Sequence, residues 1–434
     1  MGANTRELRA ANLGGPCGTL EWMAANGVPP DISVNDLAQA RGVRECLQWF
    51  TREKQWISEA HLEICRIPAP TFLEQQRAEW MASQLRSFGW KAEIDRAGNV
   101  VGFPGEKSRG PYVALTAHLD TVLAPRSKDD ISVGPDGKFH GPGVSDNGSG
   151  LAALLAIARA IKASPDIEER RAEPLLIGNV GEEGEGNLTG MRWLCKSDLI
   201  REIVTFLVLD GASTDHITTR ALGSRRFEIV FTGPGGHSWS DYGMGNPVHA
   251  LGRAVAFFSE TRLNGGPRSS FNVGLIDGGT SINSIPSQAR AKVDIRSESN
   301  ERMDELVKLL NAAVEQAQDL ENQHATGGKV AAKVKEIGAR PAAVLDEQTP
   351  VLAYLRAVDS YLGVRSRLDC SSTDANIPLS LGIPAVSIGA GGQGGGAHTS
   401  KEWYSPEGRD LGLKRILLVL SLLLRHPPSG QAIE

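Results

Sequence analysis

The sequence has no excess of basic charge, no paired cysteine motif and no long apolar run, and each absence removes a class of function. With a formal net charge of −5 and a pI near 6.1, it carries no positive footprint for a phosphate backbone, so nucleic acid is not expected as a partner. Its five cysteines (Cys17, Cys46, Cys65, Cys195 and Cys370) are scattered, odd in number and form no C-x-x-C. That usage fits reduced thiols in a cytoplasm rather than a disulfide framework or a cysteine zinc site. The first 30 residues show no apolar segment of the kind a secretory signal needs, and MGANTR lacks the Ser or Thr of a myristoylation signal. The run ILLVLSLLL (416–424) is bounded by Arg415 and Arg425 and is too short to span a bilayer. It predicts a buried helix, with no membrane partner and a cytoplasmic location.

At 434 residues, 41% hydrophobic and 22% charged, the chain is an ordinary globular sequence long enough for two domains, or one with a large insertion. Residues 1–40, rich in Gly, Pro and Asn, read as an N-terminal extension. A helical pattern then runs from Val43 to Cys65 and a second spans 73–88. Short strands are expected near 91–103. After them PYVALTA (111–117), PLLIGNV (174–180) and IVTFLVL (203–209) alternate with helices at 151–161 and 189–198. Short apolar runs separated by helices imply a mostly parallel sheet covered on both faces.

The style changes near 217. A strand RRFEIVFT (225–232) precedes a helix opened by Asn246 and Pro247. Strands near 269–276 and 288–297 come next, then a helix at 301–320 with Met303, Leu306, Val307, Leu310, Val314 and Ala317 on one stripe, and a strand near 329–337. This β-α-β-β-α-β order is that of a ferredoxin-like unit. The expected organisation is therefore α/β: a larger domain in two parts (41–216 and 339–434), with a mostly parallel mixed sheet between helices. The second, ferredoxin-like domain (217–338) is inserted in it.

The residues directly after each apolar run carry the chemistry. PYVALTA ends in His118 and Asp120, GPGVSD ends in Asp146 before a helix, PLLIGNVG leads to Glu182-Glu183, IVTFLVL leads to Asp210, and PAVSI reaches His398. In open α/β sheets ligands bind outside the carboxyl ends of the strands, so separate segments bring histidines and carboxylates to one edge. His118 and Asp120, two apart at a strand end, share a side, and a carboxylate there can orient a metal-bound imidazole. This donor set suits zinc, cobalt or manganese, and one carboxylate between two such groups could bridge ions about 3.5–4 Å apart. Each residue also has an ordinary role open to it: a core histidine, a solvated acidic turn, a helix cap. Their co-location argues for a metal, because carboxylates packed together without cations repel. The stretch GAGGQGGGAH (389–398) contains G-x-G-x-x-G spacing, but no helix opens at Gly394 and no following strand and acidic residue complete a dinucleotide site. It is expected to let the backbone pass close to substrate while delivering His398.

The motifs TAHLDTV (116–122), GPGVSDNGSG (141–150), VGEEGEGNLTG (180–190), LDGAS (209–213), GPGGHSW (233–239) and GGAHTSKEWYS (395–405) resemble, in order, those of the zinc exopeptidase family of carboxypeptidase G, acetylornithine deacetylase, aminoacylase and peptidase T. The resemblance implies a binuclear zinc domain, two ions per subunit, with a lid through which subunits dimerise. His118 and Asp210 would bind one ion, Glu183 and His398 the other, with Asp146 bridging. Glu182 would be the general base, and Asp120 would orient His118. From the lid, His237 would stabilise the oxyanion, from the partner subunit in some members. Asn283 and Arg296 would contact substrate, Arg296 by clamping a carboxylate.

Asp210, where glutamate accompanies carboxypeptidases and deacylases, favours a peptidase T-like aminopeptidase on di- and tripeptides. The alternatives are an N-acyl amino acid deacylase or carboxypeptidase of the same family and, more remotely, a non-catalytic metal-binding relative. The sequence departs from the family in its N-terminal extension, in Asn147 where many members carry a second aspartate, and in its unusually glycine-rich loop before His398.

Overall fold

The computed structural model describes residues 33–106, 108–164 and 170–428. A nine-stranded sheet organises the larger part of the molecule. Its order is Lys91–Ile94, Val100–Phe103, Glu173–Asn179, Tyr112–His118, Ile203–Leu209, Ala385–Ile388, His216–Ala221 and Ala343–Val344, with Arg367–Ser371 also pairing with His216–Ala221. The centre is parallel, from Glu173–Asn179 through Ala385–Ile388, and the flanking pairs are mostly antiparallel. Every residue of Tyr112–His118 and of Ala385–Ile388 is buried. Successive strand side chains point to opposite faces, so burial of all of them requires cover on both sides. That is why these segments read as unbroken apolar runs.

Helix Gly148–Ala163 is buried along almost its whole length, and helix Arg409–Arg425 buries the run 416–424 as expected. Among the described residues no helix is long and apolar enough to cross a membrane.

The second sheet has the order Ser269–Gly278, Gln288–Ser297, Gly223–Thr232, Ala331–Arg340, antiparallel throughout. With helices Pro247–Ser259 and Asn300–His324 it makes the β-α-β-β-α-β unit read from the sequence. Its core, including Phe227, Phe231, Phe258, Leu306 and Leu310, is separate from that of the large sheet. The predicted stripe of helix Asn300–His324 is buried, and Asn246 caps helix Pro247–Ser259 by accepting from the Val248 amide at 2.9 Å.

Several expectations need correction. Residues 1–32 of the expected extension lie outside the described residues, but Val34–Gln39 is a helix, capped by Ser33, that buries Val34, Leu37 and Ala38 in the main core. The single helix expected over 43–65 is two, Arg41–Arg52 and Lys54–Cys65, divided at Glu53 with neither Gly nor Pro to announce it. The expected boundary at 217 falls inside His216–Ala221, a strand of the large sheet, and that at 338 inside Ala331–Arg340. Only Leu222 separates the strand that leaves one sheet from the strand that starts the other. Two strands joined without a turn residue give no change of pattern.

Candidate metal centre

The parallel strands end side by side, and the expected donors converge there. His118 Nε2 lies 3.0 Å from Asp146 Oδ1 and 3.9 Å from Asp210 Oδ1. His398 Nε2 lies 2.8 Å from Glu183 Oε1 and 3.1 Å from Asp146 Oδ2. The donors thus fall into two sets, each with one imidazole and one carboxylate, and Asp146 turns one oxygen to each. Among the described residues, ligand atoms of His118, Asp146 and Glu183 all lie within 4.8 Å of one another.

The protonation chemistry of this cluster fits a cation. His118 Nδ1 lies 3.0 Å from the Asp120 carbonyl oxygen, which can only accept, so Nδ1 carries the hydrogen. Nε2 then faces the carboxylate oxygens of Asp146 and Asp210, where either a second ring hydrogen or a cation must stand between nitrogen and oxygen. Burial pulls the His118 imidazole down, yet its bonds with Asp120, Asp146 and Asp210 hold it well above the usual histidine value. Asp146 and Glu183 raise His398 to about 10. Asp146, despite burial, is held below the usual carboxylate range by the two imidazoles. Two imidazoles and several carboxylates with their ligand atoms this close together suit a divalent ion with nitrogen and oxygen ligands.

Asp120 meets His118 Nδ1 through its backbone carbonyl, and its carboxylate is engaged elsewhere. Its Oδ1 is 3.5 Å from His118 Nδ1 but accepts from the Glu182 amide at 3.0 Å, while Oδ2 accepts from the Glu183 amide and Thr71 Oγ1, both at 2.9 Å. The buried carboxylate therefore fixes the turn that presents both glutamates. Asn147 has a comparable task. Its Oδ1 accepts from the amides of Gly150 and Gly211, both at 3.2 Å, and its Nδ2 donates to the Leu209 carbonyl at 2.8 Å. It caps helix Gly148–Ala163 and ties the Asp146 loop to the strand end that carries Asp210. An aspartate could not make the donated bond.

The glycine loop before His398 differs from expectation. Gln393–Gly395 is a strand paired with Trp403–Ser405, in a small sheet with Phe139–His140 and Ser132–Val133. A Cβ at Gly389 would collide with the Ala212 and Ser213 carbonyls, and one at Gly391 (φ 90°) with Gly412. These glycines serve close packing of backbone on backbone. His398 itself has φ 64°, in the left-handed region, a conformation rare outside glycine that often marks functional sites.

Glu182 is buried beside the cluster, and burial lifts its carboxyl well above the usual range, partly offset by Arg340. Three groups were not legible in the sequence. Arg340 Nη1 donates to Glu182 Oε1 at 3.0 Å. Glu402 accepts from the amides of Gly143, Ser145 and Asp146. Asp374 is buried with no hydrogen-bond partner on either oxygen among the described residues, and burial raises it to about 7. Glu402 lies within the motif GGAHTSKEWYS, and its burial is the signal the sequence does not carry. Arg340 and Asp374 stand in ARPA and SSTDAN, where nothing local distinguishes them from surface residues.

The lid residues are not brought to the cluster. His237 lies in a two-stranded sheet, Gly236–His237 with Ser284–Ile285, with Asn283 directly before its second strand, and there the Ser238 amide donates to the Asn283 carbonyl at 3.0 Å. Arg296 Nε donates to Asp294 at 2.7 Å, within the lid sheet.

The sequence profile of a peptidase dimerisation domain matches residues 220–321, and that of peptidase family M28 matches 99–235. The chain is 30% identical over 282 residues to the cytosol non-specific dipeptidase of Escherichia coli, covering 57% of this chain and 54% of that protein, so it spans about half the relative's length. It is 26% identical over 349 residues to a succinyl-diaminopimelate desuccinylase of Granulibacter bethesdensis, covering 75% and 88% of the two chains. A tripeptidase from Staphylococcus aureus shares the fold, with a TM-score of 0.70 at 19% identity over 86% of this chain and 99% of that one. Two imidazole–carboxylate sets at the strand ends and a separate β-α-β-β-α-β domain thus occur on one chain whose similarities are to peptidases: a peptidase dimerisation domain, a peptidase family M28 domain and a dipeptidase in sequence, and a tripeptidase in fold.

Proposed function

We propose that this protein is a metal-dependent aminopeptidase acting on di- and tripeptides. The observation that carries the proposal is the division of Asp146 between two imidazole–carboxylate sets, with buried Glu182 beside them. His118 and Asp210 would hold one ion, Glu183 and His398 the other, and Asp146 both. Two zinc ions, with cobalt or manganese as substitutes, would supply polarisation of the scissile carbonyl and a water acidified towards roughly pKa 7.

The chain's own groups do the rest. Glu182 Oε1 is taken by Arg340, and Oε2 has no hydrogen-bond partner among the described residues, so Oε2 accepts the water's proton and returns it to the leaving amine. His237 Nδ1 accepts from the amides of Trp239 and Ser240, at 3.2 and 3.3 Å, which places the ring's hydrogen on Nε2 as a donor for the oxyanion. The small sheet that carries His237, with Asn283 beside it, is exposed, so it reaches the centre by lid closure or from a second copy in a homodimer. Arg296 would exchange Asp294 for the substrate carboxylate. A cytoplasmic location accords with the reduced-thiol pattern, since Cys46, Cys65, Cys195 and Cys370 are all free.

A second activity, removal of an acyl group from an N-acyl amino acid, is favoured by the broad alignment with a desuccinylase. Amine release from a free tripeptide, its N-acetyl form and its C-terminal amide, with metal-stripped and zinc-restored protein, separates the two. Cleavage of only the free-amine forms, restored by metal, supports the aminopeptidase, and a slower rate on the amide supports Arg296. Cleavage of the acetylated form alone puts the deacylase first.

A further inference from the structure

Arg340 is the last residue of the lid's final strand, where the chain crosses back to the large sheet. Its guanidinium does not stay with the lid. Nη1 donates to Glu182 Oε1 at 3.0 Å and to Ser372 Oγ at 3.1 Å, and Nη2 donates to the Glu182 carbonyl oxygen. The side chains of both partners are only 6% exposed, so the pair is held away from water. Breaking one half of such a pair leaves an uncompensated buried charge, whereas an intact, well-bonded pair fixes both groups in place.

The crossover around Arg340 is fastened to the same region. The Ala339 amide donates to Asn187 Oδ1 at 3.1 Å, and Arg192 donates to the Ala339 carbonyl. Asn376 Nδ2 donates to the carbonyls of Leu222 and Pro341, both at 2.9 Å, which are the points where the chain leaves for the lid and returns from it. Asn187 and Arg192 come shortly after Glu182 in sequence, and Asn376 shortly after Ser372. The two crossings, the loop that carries Glu182 and the loop 372–376 therefore form one bonded unit.

We propose that Arg340 is a positioning residue for Glu182, delivered by the lid crossover. It grips the glutamate by one carboxylate oxygen and by the backbone carbonyl, and leaves the other oxygen free to face the reacting water. An unheld glutamate has several side-chain rotamers, and only those that aim Oε2 at the centre are productive. A guanidinium suits the task because its planar fork holds two acceptors at once and it never gives up its own proton. The proposal rests on Glu182 being the base.

The test is a double-mutant cycle of Arg340→Met and Glu182→Gln, with Arg340→Lys as the milder variant, on whichever of the three matched peptides is hydrolysed. Bound metal per chain is measured for each protein. Arg340→Met is expected to lower kcat by roughly 10²-fold with metal content unchanged, and Arg340→Lys to recover part of that loss. In the Glu182→Gln background, Arg340→Met should change kcat by less than about threefold, because the group it positions is gone. Fully additive losses, or a raised KM at unchanged kcat, would overturn the proposal in favour of direct substrate binding. Should Arg340→Met fail to fold, the same cycle with Arg340→Lys decides. Retention of kcat in Glu182→Gln would instead refute the base assignment itself.

Discussion

Glu402 accepts the Asp146 amide at 2.9 Å on the oxygen that also holds the Ser145 amide and hydroxyl, each at 2.8 Å, while its other oxygen takes the Gly143 amide at 2.7 Å. One buried carboxylate thus shapes the whole turn that presents Asp146. Glu402→Gln would point an NH2 at one of these amides. It is expected to weaken metal binding by about 10- to 100-fold, measured by competition with a chelator of known affinity.

Because Asp146 faces both donor sets, Asp146→Ala is expected to lose both ions, whereas His118→Ala or His398→Ala should each disturb one set first. Metal analysis after dialysis distinguishes the cases. Equal loss in all three would contradict the division of donors, and activity that survives a strong chelator would contradict the role of metal.

Glu182→Gln keeps the shape of the side chain and removes its basicity. It is expected to lower kcat by roughly 10²- to 10⁴-fold with metal content unchanged. Steady-state kinetics together with metal analysis decide whether the loss is chemical.

His61 bonds the Val144 carbonyl at 2.7 Å, and burial, together with the positive charge of Arg409, lowers its imidazole to about 3. An unfolded chain would protonate it near the ordinary value of about 6.5. Between those values the unfolded state binds the extra proton, so the stability present above about pH 6.5 is lost as pH falls towards 3. This one group contributes at most about 1.4 kcal/mol per pH unit. His61→Gln should be less stable at pH 7 and show a shallower decline on acidification, read from denaturant midpoints at each pH.

Gly389→Ala drives a methyl group into the Ala212 and Ser213 carbonyls. Overpacking of this kind costs about 1–3 kcal/mol, and here it also displaces the loop that carries His398. A lowered denaturation midpoint with weakened binding at the Glu183–His398 set is the expected outcome. An unchanged midpoint would mean that the loop has room to shift.

The sequence by itself determined the strands and the donors at their ends. Segments such as PYVALTA and IVTFLVL are apolar without interruption because both of their faces are covered, and a histidine or carboxylate directly after such a run must lie at the sheet edge. His118, Glu182, Glu183 and Asp210 were legible for that reason, Asp146 and His398, both in loops, were singled out by their resemblance to family motifs, and the order of the lid followed from its strand and helix pattern. Tertiary structure alone decided the groups whose meaning depends on what they face. Arg340 stands more than 150 positions from Glu182, and Glu402 more than 250 from Asp146. A hydrogen bond across that separation leaves no local periodicity, cap or turn signature. The join at Leu222 was hidden for a related reason: two consecutive strands look alike in sequence, and only pairing assigns them to different sheets.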